Sequence, residues 1–270
     1  LCSLANPTHG FITNIGKAHI GTFGGFDNII RGKSELYQHL LMNKGTVFIN
    51  SQNAILFNMA KRFTNPAPVL YPAAGDYYEA SLADADPFVR IKAENGEIIT
   101  THLIGGYNFE NIAAALCIGK YFGVPAQQAN AAISEYVPGN MRSQVVSKGT
   151  NTIILDAYNA NPSSMQAAID NLADMNVSRK VLILGDMFEL EEEADAEHFK
   201  LGERIRDKGF TDVYLCGNLI TKTQEAFPPA KHFYTKESLI AELKDNPINQ
   251  ATILVKASRG IGLETIVEFL

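Results

Sequence analysis

Residues 32 to 34 spell Gly-Lys-Ser, the ending of the phosphate-binding loop found in many ATP- and GTP-using enzymes. In the complete pattern, G-x-x-x-x-G-K-[ST], glycines let backbone N–H groups surround a phosphate while the lysine reaches its terminal oxygens. The first glycine would fall at position 27, which is Asp27, and a carboxylate inside a phosphate cradle would repel the ligand. Lys33 also lies among apolar residues spaced for a helix, so the tripeptide alone predicts a solvated helix lysine.

Further residues capable of chemistry follow predicted strands in the second half of the chain. Asp156 ends the apolar run of NTIILDAY, where a carboxylate of a nucleotide-binding sheet is suited to bind ribose hydroxyls. Asn161 and Pro162 are also explained as the N-cap and first residue of a helix. That explanation leaves Tyr158 and Asn159, which lie between them, without a structural role.

Charged residues mark other strand ends and loops. The acidic cluster in GDMFELEEEADAEH suits the start of a helix, where the macrodipole favours negative charge. Lys256 and Arg259, in VKASRG, bring two cations to the end of the last predicted strand; an anionic substrate and a solvated surface pair are both open explanations. His19, in the glycine-rich stretch GKAHIGTFGG, is a candidate metal ligand, although a lone histidine usually is not one.

The elements that must position these residues differ between the two halves. In the first, FITNIG (11–16) and GTVFIN predict strands, Asn95-Gly96 predicts a hairpin turn, and NFENIAAALCIGKYF predicts a helix. After PGNMRSQ, short apolar strands alternate with helices of ten or more residues, which predicts a parallel sheet covered by helices. Ligands of such sheets bind at the carboxyl ends of the strands. We place the boundary between the halves near Pro138-Gly139.

Composition restricts the class of function. The chain is 46% hydrophobic and 19% charged, and its net charge of −6 argues against nucleic acid or an anionic membrane as the main partner. No apolar run approaches the roughly 18 residues that would span a bilayer. The three cysteines lie far apart in apolar stretches, which fits a reducing cytoplasm better than a disulfide framework or zinc site. Because the chain begins with Leu1 and lacks signal-peptide features, we expect it to be part of a longer protein.

The spelling and order of these stretches resemble the Mur ligases, the ATP-dependent enzymes that build the peptide of the peptidoglycan precursor. The resemblance implies an α/β chain in which part of the central ATPase domain (1–138) precedes a Rossmann-like parallel-sheet C-terminal domain (139–270). Within the family, YNANP and GDMFEL resemble the member that adds D-Ala-D-Ala. The stretches that carry the resemblance are ITNIGKAHIGTFGG, RGKSEL, GGYNFENIAAAL, LDAYNANPSSMQAAI, LILGDMFELEEEADAEH and ILVKASRG, which together extend over essentially the whole chain.

The resemblance also implies roles for individual residues. Lys33 matches a lysine that CO2 converts to a carbamate, whose carboxylate helps to hold Mg2+, an ion that requires oxygen ligands. His19 resembles a magnesium ligand. The other matches are Asn108 for adenine, Arg142 for phosphate, Asp156 for ribose, Tyr158, Asn159 and Asn161 along the nucleotide side of the cleft between domains, and Lys256, Ser258 and Arg259 in the loop that faces the peptide substrates.

The implied reaction is amide formation. ATP phosphorylates the terminal carboxylate of UDP-N-acetylmuramoyl-tripeptide, and the amine of D-Ala-D-Ala displaces phosphate, while magnesium and cationic side chains stabilise the developing charge. The expected cofactors are ATP and Mg2+, and the expected partners are these two substrates, with no nucleic acid and no membrane span. We expect a cytoplasmic monomer.

Departures from the family pattern set further expectations. Family members carry an N-terminal UDP-sugar-binding domain and, ahead of the strand at 11–15, a true phosphate loop, which these residues do not include. We therefore expect an incomplete central sheet and no ligase activity from the 270 residues alone. Tyr107 stands where histidine is frequent, and Ala257 where glycine is usual. Two alternatives stay open: a sister ligase that adds another amino acid, and a non-catalytic nucleotide- or peptide-binding module.

Overall fold

A computed structural model describes residues 1–17 and 20–270 of the chain. The chain divides into two compact units. No helix within those two described ranges is long and apolar enough to cross a membrane. Unit 1 consists of Leu1–Gly16, Phe23–His102 and Gly106–Tyr136, and unit 2 consists of Lys17–Thr22, Leu103–Gly105 and Val137–Leu270.

The first half of the chain is mixed α/β. In chain order its elements are α1 (Cys2–Ala5), β1 (His9–Phe11), α2 (Ile20–Phe23), α3 (Phe26–Met42), β2 (Thr46–Asn50), α4 (Ala54–Ala60), β3 (Val69–Tyr71), β4 (Ser81–Asp84), β5 (Phe88–Lys92), β6 (Ile98–Ile104), α5 (Asn108–Tyr121) and α6 (Ala126–Glu135). Strands β1, β2 and β3 form a parallel sheet in the order β1-β2-β3. Strands β4, β5 and β6 form a second sheet in that order, with β4 and β5 antiparallel.

Helix α3 confirms the helical spacing expected around Lys33. Its buried residues Ile29, Tyr37 and Leu40 recur at intervals that place them on one face, and Tyr37 and Leu40 join the core cluster of β2 and α4. Lys33, one turn after Ile29 and one turn before Tyr37, lies along the same face and is half-buried. The helix therefore holds this lysine at the border between core and solvent.

The turn expected at Asn95-Gly96 is confirmed. Gly96 has a φ of 83°, which is strained for residues with a Cβ, and the Ala93 N–H donates to the Glu97 carbonyl oxygen at 2.9 Å to close the hairpin between β5 and β6. The helix expected from NFENIAAALCIGKYF is α5, which begins at Asn108.

The second half of the chain consists of β7 (Gln144–Lys148), β8 (Asn151–Leu155), α7 (Pro162–Asp174), β9 (Lys180–Gly185), a 3-10 helix (Glu191–Glu193), α8 (Ala194–Asp207), β10 (Asp212–Cys216), α9 (Thr221–Ala226), β11 (Lys231–Phe233), α10 (Lys236–Asp245), β12 (Thr252–Lys256) and two 3-10 helices (Arg259–Ile261 and Leu263–Phe269). In unit 2 the six strands form one sheet in the order β11-β10-β9-β12-β8-β7, in which β7 is antiparallel to β8 and the other pairs are parallel. This confirms the expected parallel sheet alternating with helices.

The central strands of unit 2 are apolar because both faces of the sheet are covered. Strand β12 lies between β8 and β9, and Ile153, Val181 and Ile253 are 0% exposed. Parallel pairing, such as Ile253 with both Ile153 and Val181, places the carboxyl ends of β8, β9 and β12 at one edge of the sheet. The loops that carry the predicted site residues therefore leave the sheet at the same edge.

The structure differs from expectation in three elements. The strand expected at 11–16 is β1 at His9–Phe11, because its pairing with β2 ends where Phe11 lies opposite Phe48. Strand β7 was not predicted, since its residues are half-exposed and include no apolar run. The final segment GLETIVEFL, which the alternation of strands and helices predicts as a helix, forms a 3-10 helix at Leu263–Phe269 rather than an α-helix.

Candidate functional site

Lys33, in α3, is half-buried and has a backbone carbonyl oxygen as its hydrogen-bond partner. Its Nζ donates a hydrogen bond to the Asn14 carbonyl oxygen at 2.8 Å. Burial lowers the pKa of Lys33, which enriches the neutral, nucleophilic amine. Among the residues that the structure describes, no carboxylate forms an ion pair with Lys33, so the amine is not held as an ammonium by a fixed counter-charge.

The donor atoms of unit 1 restrict how a magnesium ion would be held. In the described part of the chain, no group of three or more His, Cys, Asp or Glu side chains is arranged to bind a metal ion. His19, the other expected magnesium ligand, lies outside the described residues. An ammonium cannot coordinate a cation, so Lys33 fits Mg2+ only as a carbamate, whose oxygens are the hard ligands that this ion prefers. A half-buried amine with a lowered pKa fits that conversion.

Asp156 and Lys256 meet at the carboxyl ends of β8 and β12. Lys256 Nζ donates to Asp156 Oδ2 at 2.6 Å and to the Asn159 carbonyl oxygen at 3.1 Å. The Lys256 side chain is 2% exposed and that of Asp156 is 15% exposed, so the pair is largely withdrawn from water. The second carboxylate oxygen of Asp156 accepts a hydrogen bond from the Ser143 N–H at 3.1 Å. Lys256 is thus satisfied by protein oxygens, and the solvated surface pair considered for it is wrong.

Tyr158 forms an exposed platform for two arginines. The guanidinium carbon of Arg142 lies 4.2 Å from the centroid of the Tyr158 ring, and that of Arg259 lies 5.5 Å from it. All three side chains are exposed. Cation–π attraction holds the guanidinium groups near the ring while their N–H donors stay available to a ligand. Two positive charges gathered on one ring suit an anion such as a phosphate or a carboxylate.

The asparagines expected near the nucleotide have local structural partners. Asn161 is the N-cap of α7, where its side chain accepts from the Ser164 N–H at 3.0 Å while Ser164 Oγ accepts from the Asn161 N–H at 3.1 Å. Asn159 Oδ1 accepts from the Ala160 N–H at 2.9 Å. In unit 1, Asn108 is half-buried at the start of α5 and its Oδ1 accepts from Asn111 at 3.1 Å. The capping explanation for Asn161 is therefore correct.

Ser258 joins three strand-end loops of unit 2. Its side chain is buried, and Oγ accepts a hydrogen bond from the Phe188 N–H at 2.8 Å and donates to the Ala160 carbonyl oxygen at 3.4 Å. Its own N–H donates to the Asp186 carbonyl oxygen at 3.0 Å. Ser258 thus fixes the segments that follow β8, β9 and β12 relative to one another, while Arg259, the next residue, is exposed.

Sequence reasoning missed two buried residues at this edge. Asp186, which follows β9, accepts hydrogen bonds from the Asn218 N–H at 3.1 Å and the Ile220 N–H at 2.8 Å, and so shapes the loop after β10. His198, in α8, accepts from the Met187 N–H at 3.0 Å. The strand-end rule that selected Asp156 applies equally to Asp186, but no local pattern marks His198 among the surrounding acidic residues.

Comparison with known proteins gives two consecutive matches to one family. Residues 1–119 match the family described as "Mur ligase middle domain", and residues 141–259 match "Mur ligase, glutamate ligase domain". The chain is 31% identical over 281 residues to UDP-N-acetylmuramoyl-tripeptide--D-alanyl-D-alanine ligase of Bacillus subtilis (strain 168), with 100% of this chain and 60% of that protein covered. It is 30% identical over 285 residues to the ligase of the same name from Escherichia coli (strain K12), with 99% and 61% covered.

Solved structures agree. MurF from Acinetobacter baumannii superimposes with a TM-score of 0.82 at 25% sequence identity, covering 97% of this chain and 59% of that one. The MurF ligase from Thermotoga maritima, solved in complex with ADP, gives a TM-score of 0.84 at 22% identity, covering 99% and 62%, a likeness that concerns the fold. The chain belongs to the Mur ligase family and contains its middle and C-terminal domains. It spans about 60% of the length of the curated relatives named above.

Proposed function

We propose that the protein containing this chain is the ATP-dependent ligase that joins D-Ala-D-Ala to UDP-N-acetylmuramoyl-tripeptide in peptidoglycan synthesis. The family membership and the names of the relatives in Bacillus subtilis and Escherichia coli support this activity. The observation that carries the proposal is the pair of guanidinium groups on Tyr158, at the sheet edge where ligands of parallel sheets bind. We further propose that the enzyme acts as a monomer in the cytoplasm, where its nucleotide-linked substrate would be made.

The two domains divide the binding tasks in this proposal. Residues 1–138 supply Asn108 for the adenine and Lys33, as a carbamate, together with His19 for Mg2+. Residues 139–270 supply the ribose and phosphate contacts and the loop facing the peptide. When bound, MgATP would supply the phosphoryl group that activates the tripeptide carboxylate. Its magnesium ion would offset the negative charge of the phosphate groups.

Arg142 and Asp156 serve the nucleotide in this account. The Tyr158 ring holds the Arg142 guanidinium within 4.2 Å, which restricts its motion and leaves its donors free for phosphate oxygens. Asp156 has a hydrogen bond or ion pair on each carboxylate oxygen, yet each oxygen has a further lone pair for a ribose hydroxyl. Because Lys256 fixes this carboxylate, the ribose would meet a preformed acceptor.

The loop after β12 serves the peptide substrates. Arg259 is its exposed cation, held near Tyr158, and we assign to it the binding of a substrate carboxylate. Ser258 and Lys256 are buried and act on substrate through the loop that they hold in place. Ala257 is fully buried, so the methyl group that replaces the usual glycine is packed in the interior and does not face the ligand.

A phosphate-release assay with the full-length protein tests the proposal. We expect release from MgATP only when UDP-N-acetylmuramoyl-tripeptide and D-Ala-D-Ala are both present. Replacing Arg142 with Met should raise KM for ATP at least about tenfold, since a charge-assisted hydrogen bond contributes roughly 1.5–3 kcal/mol. The matched control is Arg206→Met, which removes an exposed arginine of α8 and should leave KM unchanged.

Each alternative gives a different result in that assay. Release that requires another amino acid in place of D-Ala-D-Ala would identify a sister ligase. Nucleotide binding without release under any substrate combination would identify a binding module. An Arg142→Met variant with the wild-type KM for ATP would remove the phosphate role from this residue.

A further inference from the structure

The segment Asp186–Leu190, here called the 186–190 loop, is held through its backbone at consecutive residues. The Asp186 carbonyl oxygen accepts from the Ser258 N–H at 3.0 Å, and the Phe188 N–H donates to Ser258 Oγ at 2.8 Å. Between them, the Met187 N–H donates to Nε2 of His198 at 3.0 Å. The side chains of Ser258 and His198 therefore hold the 186–190 loop in place. Of these two residues, only Ser258 belongs to the loop after β12 to which the peptide substrates are assigned.

These hydrogen bonds determine which side chains of the 186–190 loop are exposed at the sheet edge formed by the carboxyl ends of the strands. Met187 is 1% exposed, whereas the neighbouring Phe188 ring is 38% exposed. The Phe188 ring packs on Gly260, where an added Cβ would lie 2.8 Å from a ring carbon. Phe188 is thus an exposed aromatic surface beside the residue that follows Arg259. A shift of the Met187 backbone would move this ring relative to Arg259.

His198 can hold Met187 in only one protonation state. Its side chain is 0% exposed, and Nδ1 lies 2.7 Å from the Ala194 carbonyl oxygen, which only accepts. Nδ1 must therefore carry the hydrogen. Nε2 meets the Met187 N–H, which only donates, so Nε2 must be unprotonated. The geometry requires the neutral Nδ1–H tautomer.

Burial favours that state and outweighs the neighbouring groups that oppose it. Burial lowers the pKa of His198, whereas the hydrogen bond to the Ala194 carbonyl oxygen and the carboxylates of Asp186, Asp195 and Glu197 act in the opposite direction. The ammonium groups of Lys17 and Lys200 are paired with Glu197 and reduce its influence. From α9, Thr223 donates its hydroxyl to the His198 carbonyl oxygen at 2.7 Å, which fixes the backbone of the histidine.

We infer that His198 is a positioning residue of the proposed ligase: its neutral imidazole fixes Met187 and thereby sets Phe188 beside the substrate-binding loop at Arg259. The inference rests on the proposed function, since the effect is exerted on the peptide substrates of that reaction. His198 touches no substrate, and its influence passes through the Met187 amide.

Two amide substitutions separate the two hydrogen bonds of His198. The amide of Gln extends as far from Cβ as Nε2, so His198→Gln can accept from the Met187 N–H. The amide of Asn extends only as far as Nδ1, so His198→Asn can donate to the Ala194 carbonyl oxygen but cannot reach Met187. Both variants place an amide in the same buried site, which makes each a control for the other.

Steady-state kinetics on the full-length protein give the functional test. We expect His198→Asn to raise KM for the peptide substrates at least about fivefold with KM for ATP within about twofold, and His198→Gln to restore most of the loss. In the wild type, kcat/KM for the peptide should fall on the acid side as Nε2 gains a proton, and this limb should be absent from His198→Gln. Equal kinetics for the wild type and the Asn variant, or equal losses in both variants, would overturn the inference.

A spectroscopic measurement separates this inference from the proposed function. In 15N-edited NMR spectra at pH 7.5, His198 should show the neutral tautomer with the hydrogen on Nδ1, and the Met187 amide resonance should shift in His198→Asn but not in His198→Gln. A protonated Nε2 would overturn the inference even if the enzyme is the proposed ligase. Conversely, absence of phosphate release in the wild type with the expected tautomer would refute the proposed function and leave His198 as a structural anchor only.

Discussion

Replacing Asp156 with Ala should destabilise unit 2 more than replacing its partner Lys256 with Met. The Lys256 side chain is 2% exposed, so removal of Asp156 leaves a buried ammonium with carbonyl oxygens alone, that of Asn159 lying at 3.1 Å. Removal of Lys256 leaves a carboxylate that is 15% exposed and still accepts a hydrogen bond from the Ser143 N–H. Lys256 without Asp156 is therefore a buried charge without a counter-ion, whereas Asp156 without Lys256 keeps a hydrogen bond and some contact with water.

The magnitudes follow from this difference. Breaking a buried ion pair by removing one partner costs about 3–5 kcal/mol, and because carbonyl oxygens remain around Lys256, Asp156→Ala should cost about 3 kcal/mol. That corresponds to roughly a hundredfold change in the equilibrium constant of unfolding. Lys256→Met should cost about 1–2 kcal/mol, since Asp156 stays hydrogen-bonded and partly hydrated. The double variant Asp156→Asn/Lys256→Met buries no charge and should be more stable than Asp156→Ala by at least about 1 kcal/mol.

Urea unfolding at pH 7.5, followed by far-ultraviolet circular dichroism, measures these differences. Because the chain has two units, hydrogen exchange of the amides in β8 and β12 should be recorded in parallel to report on unit 2 alone. Equal losses of unfolding free energy in Asp156→Ala and Lys256→Met, or a double variant no more stable than Asp156→Ala, would contradict the predicted difference.

Four other predictions concern single sites. Gly202→Ala should cost about 1–3 kcal/mol in urea unfolding, because its Cβ would clash with the Thr223 carbonyl oxygen. The control Gly139→Ala meets no atom within 4 Å and should stay within about 0.5 kcal/mol of the wild type. Asn161→Ala removes the N-cap of α7 and should cost about 1 kcal/mol in the same assay. Burial opposes ionisation of Glu197, but its two paired lysines outweigh burial and lower its pKa, so the stabilisation from these pairs should be lost as pH falls through that lowered pKa. The Tm of a Glu197→Gln variant should therefore fall less between pH 7 and pH 3 than that of the wild type, and parallel curves would contradict this. With 13CO2, Lys33 should give a carbamate carbon signal in NMR spectra that is absent from Lys33→Arg, and identical spectra would exclude the modification.

The sequence was most informative for site residues that directly follow a predicted apolar strand. The strand-end rule selected Asp156, Tyr158 and Lys256, and the structure gathers them at one edge of the unit 2 sheet. The pairing of Asp156 with Lys256 could not be predicted from pattern alone, because it joins residues 100 positions apart and depends on β12 lying beside β8. Strand order is a tertiary property that alternation of strands and helices does not specify.

Two other features were missed for local physical reasons. Strand β7 is an antiparallel edge strand with half-exposed residues, so it lacks the continuous apolar run of a buried parallel strand. His198 lies among Asp and Glu residues that were interpreted as helix capping, and its burial follows from packing of α8 that the charge pattern conceals. Both features become visible only when the neighbouring element is known.

The most direct test of the proposed ligase follows oxygen from substrate to product. UDP-N-acetylmuramoyl-tripeptide labelled with 18O in its terminal carboxylate is incubated with the full-length protein, MgATP and D-Ala-D-Ala, and the released phosphate is analysed by mass spectrometry. When the amine attacks the acyl phosphate, the phosphate that leaves carries one oxygen of the original carboxylate, so the proposed reaction predicts one 18O atom in each phosphate released and formation of the new amide. Phosphate without label, or release that does not depend on D-Ala-D-Ala, would contradict the proposed reaction.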